Sequence, residues 1–331
     1  MSRKIKAAIV QDVPVPLAVD ESIERAIRLT KEAIETGARV IAFGEGFLGG
    51  HPAWLEHVPA PALWDHPGTK ELHAMLLRQA VRGNDPRFAA LQWAVDIAGV
   101  VVSAGGFERV RNSLFSTQFL FRPKAPPLLH RKLVHTPGER MLLGSGDGST
   151  LEVHQAHWGR VGQLASAEHW MPLVRAAMDH AGEEIHVAAW PTVHDISLLA
   201  SAHYAYEARA FVLAAGTIQY KQDYLAGYAR AGGDAGPGRA LLNMLPEGRL
   251  QSGRSAVIAP DGVAIAQADS EPRMLIAELD LAEIDAGLTT MNIDGHHARP
   301  DIFELSVDRR PRTGIVDVAE DPGEPGAAAA A

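Results

Sequence analysis

The sequence predicts an α/β protein built on a buried parallel sheet, and two observations carry that prediction. The chain opens on a strand–helix–strand unit: Ile5–Val10, a helix capped by Asp20 and stopped by Gly37, then Arg39–Phe43. Both strand runs are short and almost continuously apolar, the pattern of strands covered on both faces. The second observation is the stretch Gly159–Arg175. There a strand over Val161–Ala165 ends at the polar knuckle Ser166-Ala167-Glu168-His169, and a helix opens with Pro172 in its first turn. Proline costs nothing at that place, because the first N–H groups of a helix have no partner within it. A strand that stops just before a helix is where such folds expose a reactive side chain beside helix N–H groups.

The remaining elements follow in order. The first helix carries Ile23, Ala26, Ile27, Ala33 and Ile34 on one stripe, with Glu21 and Glu24 in its first turn. Glu45 sits just past the carboxyl end of the second strand, where parallel sheets place their sites. Residues 53–85 read as a long loop or helical insertion beside it, and Pro86–Ala98 as a helix. Val100–Phe107 and Leu114–Phe121 are strands joined by a tight turn at Arg111-Asn112, and Leu128–Val134 follows. Beyond the knuckle come a helix over 172–181, a buried strand Ile185–Trp190, a helix over roughly 196–210 and the strand Phe211–Ile218. The glycine-rich run Gly232–Gly238 reads as a lid or insertion. Ser255–Ala259 and Met274–Leu279 form a hairpin-like pair around Pro260-Asp261-Gly262, followed by a short helix at 281–286. From about residue 289 the chain is an arm, and Gly323–Ala331 is a low-complexity tail.

Composition narrows the possible functions. With 47% hydrophobic and 21% charged residues, 331 residues are enough to bury a sizeable core. A net charge of −9 with no Lys/Arg cluster argues against nucleic acid as a partner. No apolar run approaches the roughly 20 residues of a membrane span. Met1–Lys6 leads directly into a strand without the apolar centre of a signal peptide, so a cytoplasmic location is expected. The chain has no cysteine, which excludes disulfides, thiolate metal sites and thiol nucleophiles.

Three residues stand at strand ends with chemistry to offer: Glu45, Lys132 and Ser166. Converging on one pocket, they would supply a base, an electrostatic stabiliser and a nucleophile. Spacing alone equally allows a solvated ion pair and a satisfied turn serine. His154 and His157 have i,i+3 spacing and His296-His297 are adjacent, but no cysteine or carboxylate stands at ligand spacing and there is no H-E-x-x-H, so they read as scattered histidines. Gly144–Gly148 resembles a phosphate loop, yet Ser149 stands where the pattern needs glycine and no lysine follows, so it reads as a structural turn. No G-x-S-x-G elbow occurs. The sequence calls for no metal and no cofactor.

The neighbourhoods of the three residues are more specific than their spacing. Val40-Ile-Ala-Phe-Gly-Glu45-Gly-Phe-Leu-Gly-Gly-His-Pro52 resembles the first signature of the nitrilase branch of the carbon–nitrogen hydrolase superfamily. His130-Arg-Lys132-Leu-Val-His-Thr-Pro-Gly-Glu139-Arg140 is similar to the second, and Gly162-Gln-Leu-Ala-Ser166-Ala-Glu-His-Trp-Met-Pro-Leu173 to the third. Ile185–Pro191, His203–Glu207, Phe211–Ala215, Leu281–Asp285 and Asp294–Phe303 fit the same family, so the likeness runs in order from about 5 to 312.

The resemblance implies a four-layer α-β-β-α sandwich paired through its outer helices, with a hydrolase domain over 1–288 and an arm and tail over 289–331. It implies Glu45 as general base, Lys132 as stabiliser of the tetrahedral intermediate and Glu139 as a supporting glutamate. The implied reaction converts a nitrile or amide to a carboxylic acid and ammonia through a covalent intermediate. The family's nucleophile is a cysteine, and Ser166 holds its position here. Gly44 also stands where the family usually has proline, and Ala167 where tryptophan is frequent. An alcohol ionises far less readily than a thiol of pKa ~8.5, so the implied enzyme is impaired or inactive. A non-catalytic binding or assembly protein is the alternative, and either way a homodimer or larger homo-oligomer is expected.

Overall fold

The computed structural model describes residues 3–312. In the first half, β1 (Lys4–Gln11), α1 (Val19–Glu35) and β2 (Ala38–Phe43) are followed by α2 (Trp54–His57), α3 (Pro67–Gln79) and α4 (Ala89–Ala98). Then come β3 (Val101–Val110), β4 (Ser113–Arg122) and β5 (Ala125–Arg131). The second half holds β6 (His154–Ala156), β7 (Gly159–Ala165), α5 (Pro172–His180), β8 (Ile185–Ala189), α6 (Asp195–Ala208) and β9 (Phe211–Ala215). It continues with β10 (Ile218–Tyr220), α7 (Lys221–Arg230), α8 (Pro237–Asn243) and β11 (Arg249–Ser252). The last elements are β12 (Ala256–Ile258), β13 (Ala264–Gln267), β14 (Arg273–Asp280) and α9 (Ala282–Gly287).

Two six-stranded sheets result, ordered β14-β1-β2-β3-β4-β5 and β13-β12-β9-β8-β7-β6, with β10-β11 as a small separate ribbon. In each large sheet three parallel strands form the centre, and antiparallel strands extend it on both sides. The parallel sheet read from the sequence is therefore the middle of a mixed one. The continuous apolar runs arise because each pleat is buried twice. In β1, Ala7 and Ile9 face the second sheet while Ala8 and Val10 lie in the core that α1 and α4 cover. In β8, Ile185 and Val187 face the first sheet while Ala188 packs with residues of α5 and α6. The order of layers is thus helix, sheet, sheet, helix. Among the described residues no helix is long and apolar enough to cross a membrane.

Several elements differ from the sequence reading for identifiable reasons. Helix α1 begins at Val19 with Asp20 inside its first turn, and Gln79 accepts from the Val19 N–H at 3.2 Å in place of a cap. Ser255–Ala259 does not pair with Met274–Leu279. Its hairpin partner is β13, which is largely exposed and so left little apolar signal, while β14 crosses to the other sheet and pairs with β1 from Lys4↔Asp280 to Gln11↔Arg273. Residues 53–85 contain α2 and α3, which with α7 and α8 enclose a third core around Trp54, Leu72, Met75, Tyr224 and Tyr228. Gly232–Gly238, read as a lid or insertion, is a connection between two helices. It joins α7 to α8, and a Cβ on Gly233 would lie 2.3 Å from the Tyr228 ring. Within the arm, Val307 packs beside Leu151 and the Arg312 N–H reaches Asp147 at 2.6 Å; residues 323–331 lie outside the described residues.

Gly105 on β3 shows how tightly the first sheet carries the segment after β2. A Cβ there would stand 2.6 Å from both the Gly46 nitrogen and Gln118 Oε1, and 2.9 Å from Glu45 Cα. Gly105→Ala is expected to lower stability by about 1–3 kcal/mol through overpacking, read as a reduced urea midpoint at unchanged m-value.

Candidate active site

The segment after β2 is fixed by the opposite sheet. The Glu45 N–H donates to the carbonyl of Trp190, the residue after β8, at 3.0 Å. Gly44 allows that approach, since a Cβ on it would lie 2.8 Å from the same carbonyl. Glu45 is thereby stationed between the two sheets, 2% exposed. Its Oε1 accepts from Ser116 Oγ on β4 at 3.0 Å and from Lys132 Nζ at 2.9 Å. Lys132 follows β5 and is held through its backbone, its N–H donating to Ser116 and its carbonyl accepting from Gly146, both at 2.9 Å. Its ammonium also donates to Glu139 Oε1 at 2.8 Å, while Glu139 Oε2 accepts from the Thr136 N–H at 2.8 Å.

All three side chains are buried, and neighbouring charges act on both Lys132 and Glu139. Burial would pull the Lys132 ammonium down, but Glu45 and Glu139 outweigh it and hold the group above the ordinary lysine range. Burial likewise acts against ionised Glu139, and the His135 ring and Lys132 ammonium overcome it, keeping that carboxyl below the usual range. One ammonium between two carboxylates leaves a net negative charge. His51, buried, bonded to Glu56 at 2.9 Å and facing Glu45 and Glu139, is raised despite desolvation, with Glu56 in turn held below the usual carboxylate range. Ligand atoms of Glu45, His51 and Glu139 lie within 4.8 Å of one another, but the Lys132 ammonium already takes an oxygen of each carboxylate. A mainly apolar hollow of about 400 Å³, walled by Leu55, Val58, Pro61, Pro137 and Met141, opens beside the turn that carries Glu139.

Ser166 is placed differently. It heads the short 3-10 turn Ser166–Trp170 with φ +47°, and its Oγ makes no hydrogen bond among the described residues. Its link to Lys132 runs through one carboxylate. Glu168, fully buried, accepts from the Leu133 N–H at 2.6 Å and from the Ala165 N–H at 2.7 Å, the residues flanking Lys132 and Ser166. His130 Nε2 donates to Glu168 at 2.8 Å, and its Nδ1 donates to the Thr150 carbonyl at 3.2 Å. Glu45, Lys132 and Glu139 are thus joined side chain to side chain, and Ser166 is tethered beside them through the backbone.

Spacing did not reveal Ser116, His51, His130 and Glu168. The last three lie inside the quoted signatures. Neither histidine stands in a close histidine pair: His51 meets Glu56 five residues on, while His130 meets Glu168 from a distant segment. The loop Gly144–Gly148 is structural: Gly144 and Gly146 donate to Leu114 and Lys132, and Asp147 accepts from Ser149. His296 and His297 are exposed on the arm.

Residues 6–287 match the carbon–nitrogen hydrolase family, so the chain belongs to it. It is 33% identical to an aliphatic nitrilase of Sinorhizobium fredii (strain HH103) over 319 residues, covering 95% of this chain and 98% of that one. It is 30% identical to an arylacetonitrilase of Aspergillus kawachii (strain NBRC 4308), covering 93% of each. Among solved structures it resembles, at 15% identity and a TM-score of 0.61, an amidase variant from Nesterenkonia sp. AN1 bearing acrylamide at its active site cysteine. That likeness spans 86% of this chain and 98% of that one.

The Glu168–His130 pair sets a pH dependence. Burial opposes both charges, yet the His130 charge and N–H donors keep Glu168 below its ordinary 4.5, and Glu168 keeps His130 above 6.5. The depressed carboxyl contributes stability above about pH 4.5 that is lost as acid carries the pH through its folded value. The raised imidazole contributes fully below about pH 6.5 and loses its share as pH rises through its folded value. Urea midpoints should therefore fall from about pH 6.5 towards pH 9, in part through His51, which has the same sign. His130→Ala should cost about 3–5 kcal/mol near pH 6 and flatten that alkaline decline.

Proposed function

We propose that this protein is a nitrilase-type hydrolase site whose nucleophile position carries a serine, acting on a small nitrile or amide. The observation that carries the reading is the buried Glu45–Lys132–Glu139 knot, in which Glu45 keeps one oxygen, Oε2, buried and without a hydrogen-bond partner among the described residues. One oxygen is committed to the ammonium and the other remains to take a proton. Residue 166 attacks the nitrile carbon and Glu45 accepts its proton. The Lys132 ammonium faces the negative charge that builds as the C≡N bond opens, and Glu139 holds that ammonium in line. The proton passes to the nitrile nitrogen. A first water adds to the covalent imidate so that ammonia leaves with the returned protons, and a second water cleaves the remaining acyl group to give the acid. An amide loses ammonia directly and needs only the second water. Support for cysteine at this position comes from the signature around Ser166 and from the active site cysteine of the Nesterenkonia amidase variant.

Serine alters the first step most. Its hydroxyl must lose a proton during attack, and a carboxylate is a weak base for an alcohol, so turnover is slower by orders of magnitude. We assign the hydrolase unit to residues 1–288 and treat 289–331 as an arm and tail. A second reading, a non-catalytic binding or assembly protein, is favoured by the absence of any thiol and by an uncovered face on α6. There Ile196, Leu199 and Tyr206, with Leu173 of α5 and Trp170 nearby in the chain, expose between 40% and 69% of their surface. Spacing of three and seven residues puts the first three on one stripe. We assign this stripe to a two-fold homodimer contact, which serves either reading.

Ser166→Cys should create or raise ammonia release across a panel of aliphatic and aryl nitriles, and Glu45→Gln in that background should abolish it. Background release from a well-folded Ser166→Cys protein would refute the nitrilase reading and leave the non-catalytic one. Light scattering should give twice the chain mass, and Leu199→Glu should shift it towards the monomer.

A further inference from the structure

Behind Ser166 lies a buried chain of polar side chains that the reaction above does not use. His169 Nδ1 stands 2.8 Å from the Ser166 carbonyl, and His169 Nε2 stands 2.9 Å from His186 Nε2. His186 Nδ1 is 2.9 Å from Glu183 Oε2, and the Tyr204 hydroxyl donates to Glu183 Oε1. None of the four is more than 5% exposed. They come from the knuckle, the turn before β8, β8 itself and α6, so the chain crosses three elements to reach one carbonyl. Gly162 makes room for it: a Cβ there would sit 1.8 Å from Glu183 Oε2. The rings of His186 and Tyr204 stack at 4.1 Å, which fixes the direction of both.

Hydrogen-bond chemistry decides where the protons are. A carbonyl can only accept, so His169 carries its proton on Nδ1. Burial and the neighbouring His186 push His169 down to about 3, so the ring is neutral and its Nε2 is bare. That bare nitrogen must accept, so His186 carries a proton on Nε2. Glu183 accepts from the Tyr204 hydroxyl, and its contact with the far nitrogen of His186 holds a further proton between the two, so every link of the chain has a donor and an acceptor. We propose that His169 is a positioning residue for the nucleophile, its tautomer set by His186, Glu183 and Tyr204. It acts by pinning the carbonyl of a residue held in the left-handed region, where a side chain other than glycine is rarely placed. Because the peptide is planar, the same bond fixes the direction of the Ala167 N–H. The role rests on residue 166 being the attacking group, as proposed above.

The test uses the full chain with ¹⁵N-labelled histidine. His169 is expected as the neutral Nδ1–H tautomer from about pH 5 to pH 8. His186→Phe, and separately Tyr204→Phe, which keeps both rings stacked, should mix the His169 tautomers. In the Ser166→Cys background the same variants should lower kcat roughly 10- to 100-fold at little-changed KM. They should also change the rate at which iodoacetamide alkylates Cys at 166, a reaction that needs no nitrile chemistry. Altered alkylation and tautomer in a protein that hydrolyses no nitrile would uphold the positioning role and remove only the proposed reaction. An Nε2–H tautomer, a His169 titrating near 6.5, or folded variants with unchanged tautomer and alkylation would overturn it.

Discussion

A single ammonium buried between two carboxylates is the constraint on which the rest of this molecule depends. Bringing Lys132, Glu45 and Glu139 out of water costs several kcal/mol per charge, recovered only if each keeps its partners at hydrogen-bond distance. Those distances cannot be met by one segment. Glu45 arrives at the end of β2, Lys132 after β5 and Glu139 on a turn seven residues later; Gly44 and Gly105 permit the close approaches around Glu45, and Gly138 that of the turn carrying Glu139 to Leu55. The inter-sheet bond from Glu45 to Trp190 then ties this cluster to the second sheet. The stacked sheets of the family fold supply two strand ends facing one another, which the chemistry requires.

Around that knot the buried polar groups fall into two further units. Glu168 and His130 staple the loop after β5 to the end of β7, so that the positions of residues 132 and 166 are set together. His51 and Glu56 form an ion pair on the other side, Glu56 lining the apolar hollow and the His51 ring facing Glu45 and Glu139. Both units use a histidine raised by a carboxylate. The site's electrostatics therefore depend on groups that would not themselves touch the reacting atoms.

Much of this was legible in the sequence, for physical reasons. Doubly buried strands such as Ile5–Val10 and Ile185–Ala189 announce themselves because both faces must be apolar, and Pro172 and Gly37 mark helix ends through backbone rules that tertiary contacts rarely override. What was hidden depends on long-range pairing. Whether Met274–Leu279 joins Ser255–Ala259 or β1 is not encoded in either run, since both are short and nearly continuously apolar. Gly232–Gly238 looked mobile because glycine signals freedom, when at Gly233 its use is to let Tyr228 lie against the backbone. Glu45 and Lys132 were visible as strand-end residues, but their union needed the signatures around them. His51, His130 and Glu168 were in plain sight and lacked any local pattern.

A fold, a charged knot and a fixed backbone at residue 166 are all retained around a side chain with little tendency to ionise. Under the proposed reading the deficit lies in one atom, oxygen where sulfur would serve. Intact-protein mass spectrometry of Ser166→Cys, quenched soon after mixing with a nitrile, tests this most directly. The account requires a mass increase matching a thioimidate or acyl adduct, mapped to position 166 and lost when Glu45 is also changed to glutamine. A folded protein that gains no mass, or gains it elsewhere in the chain, would contradict it.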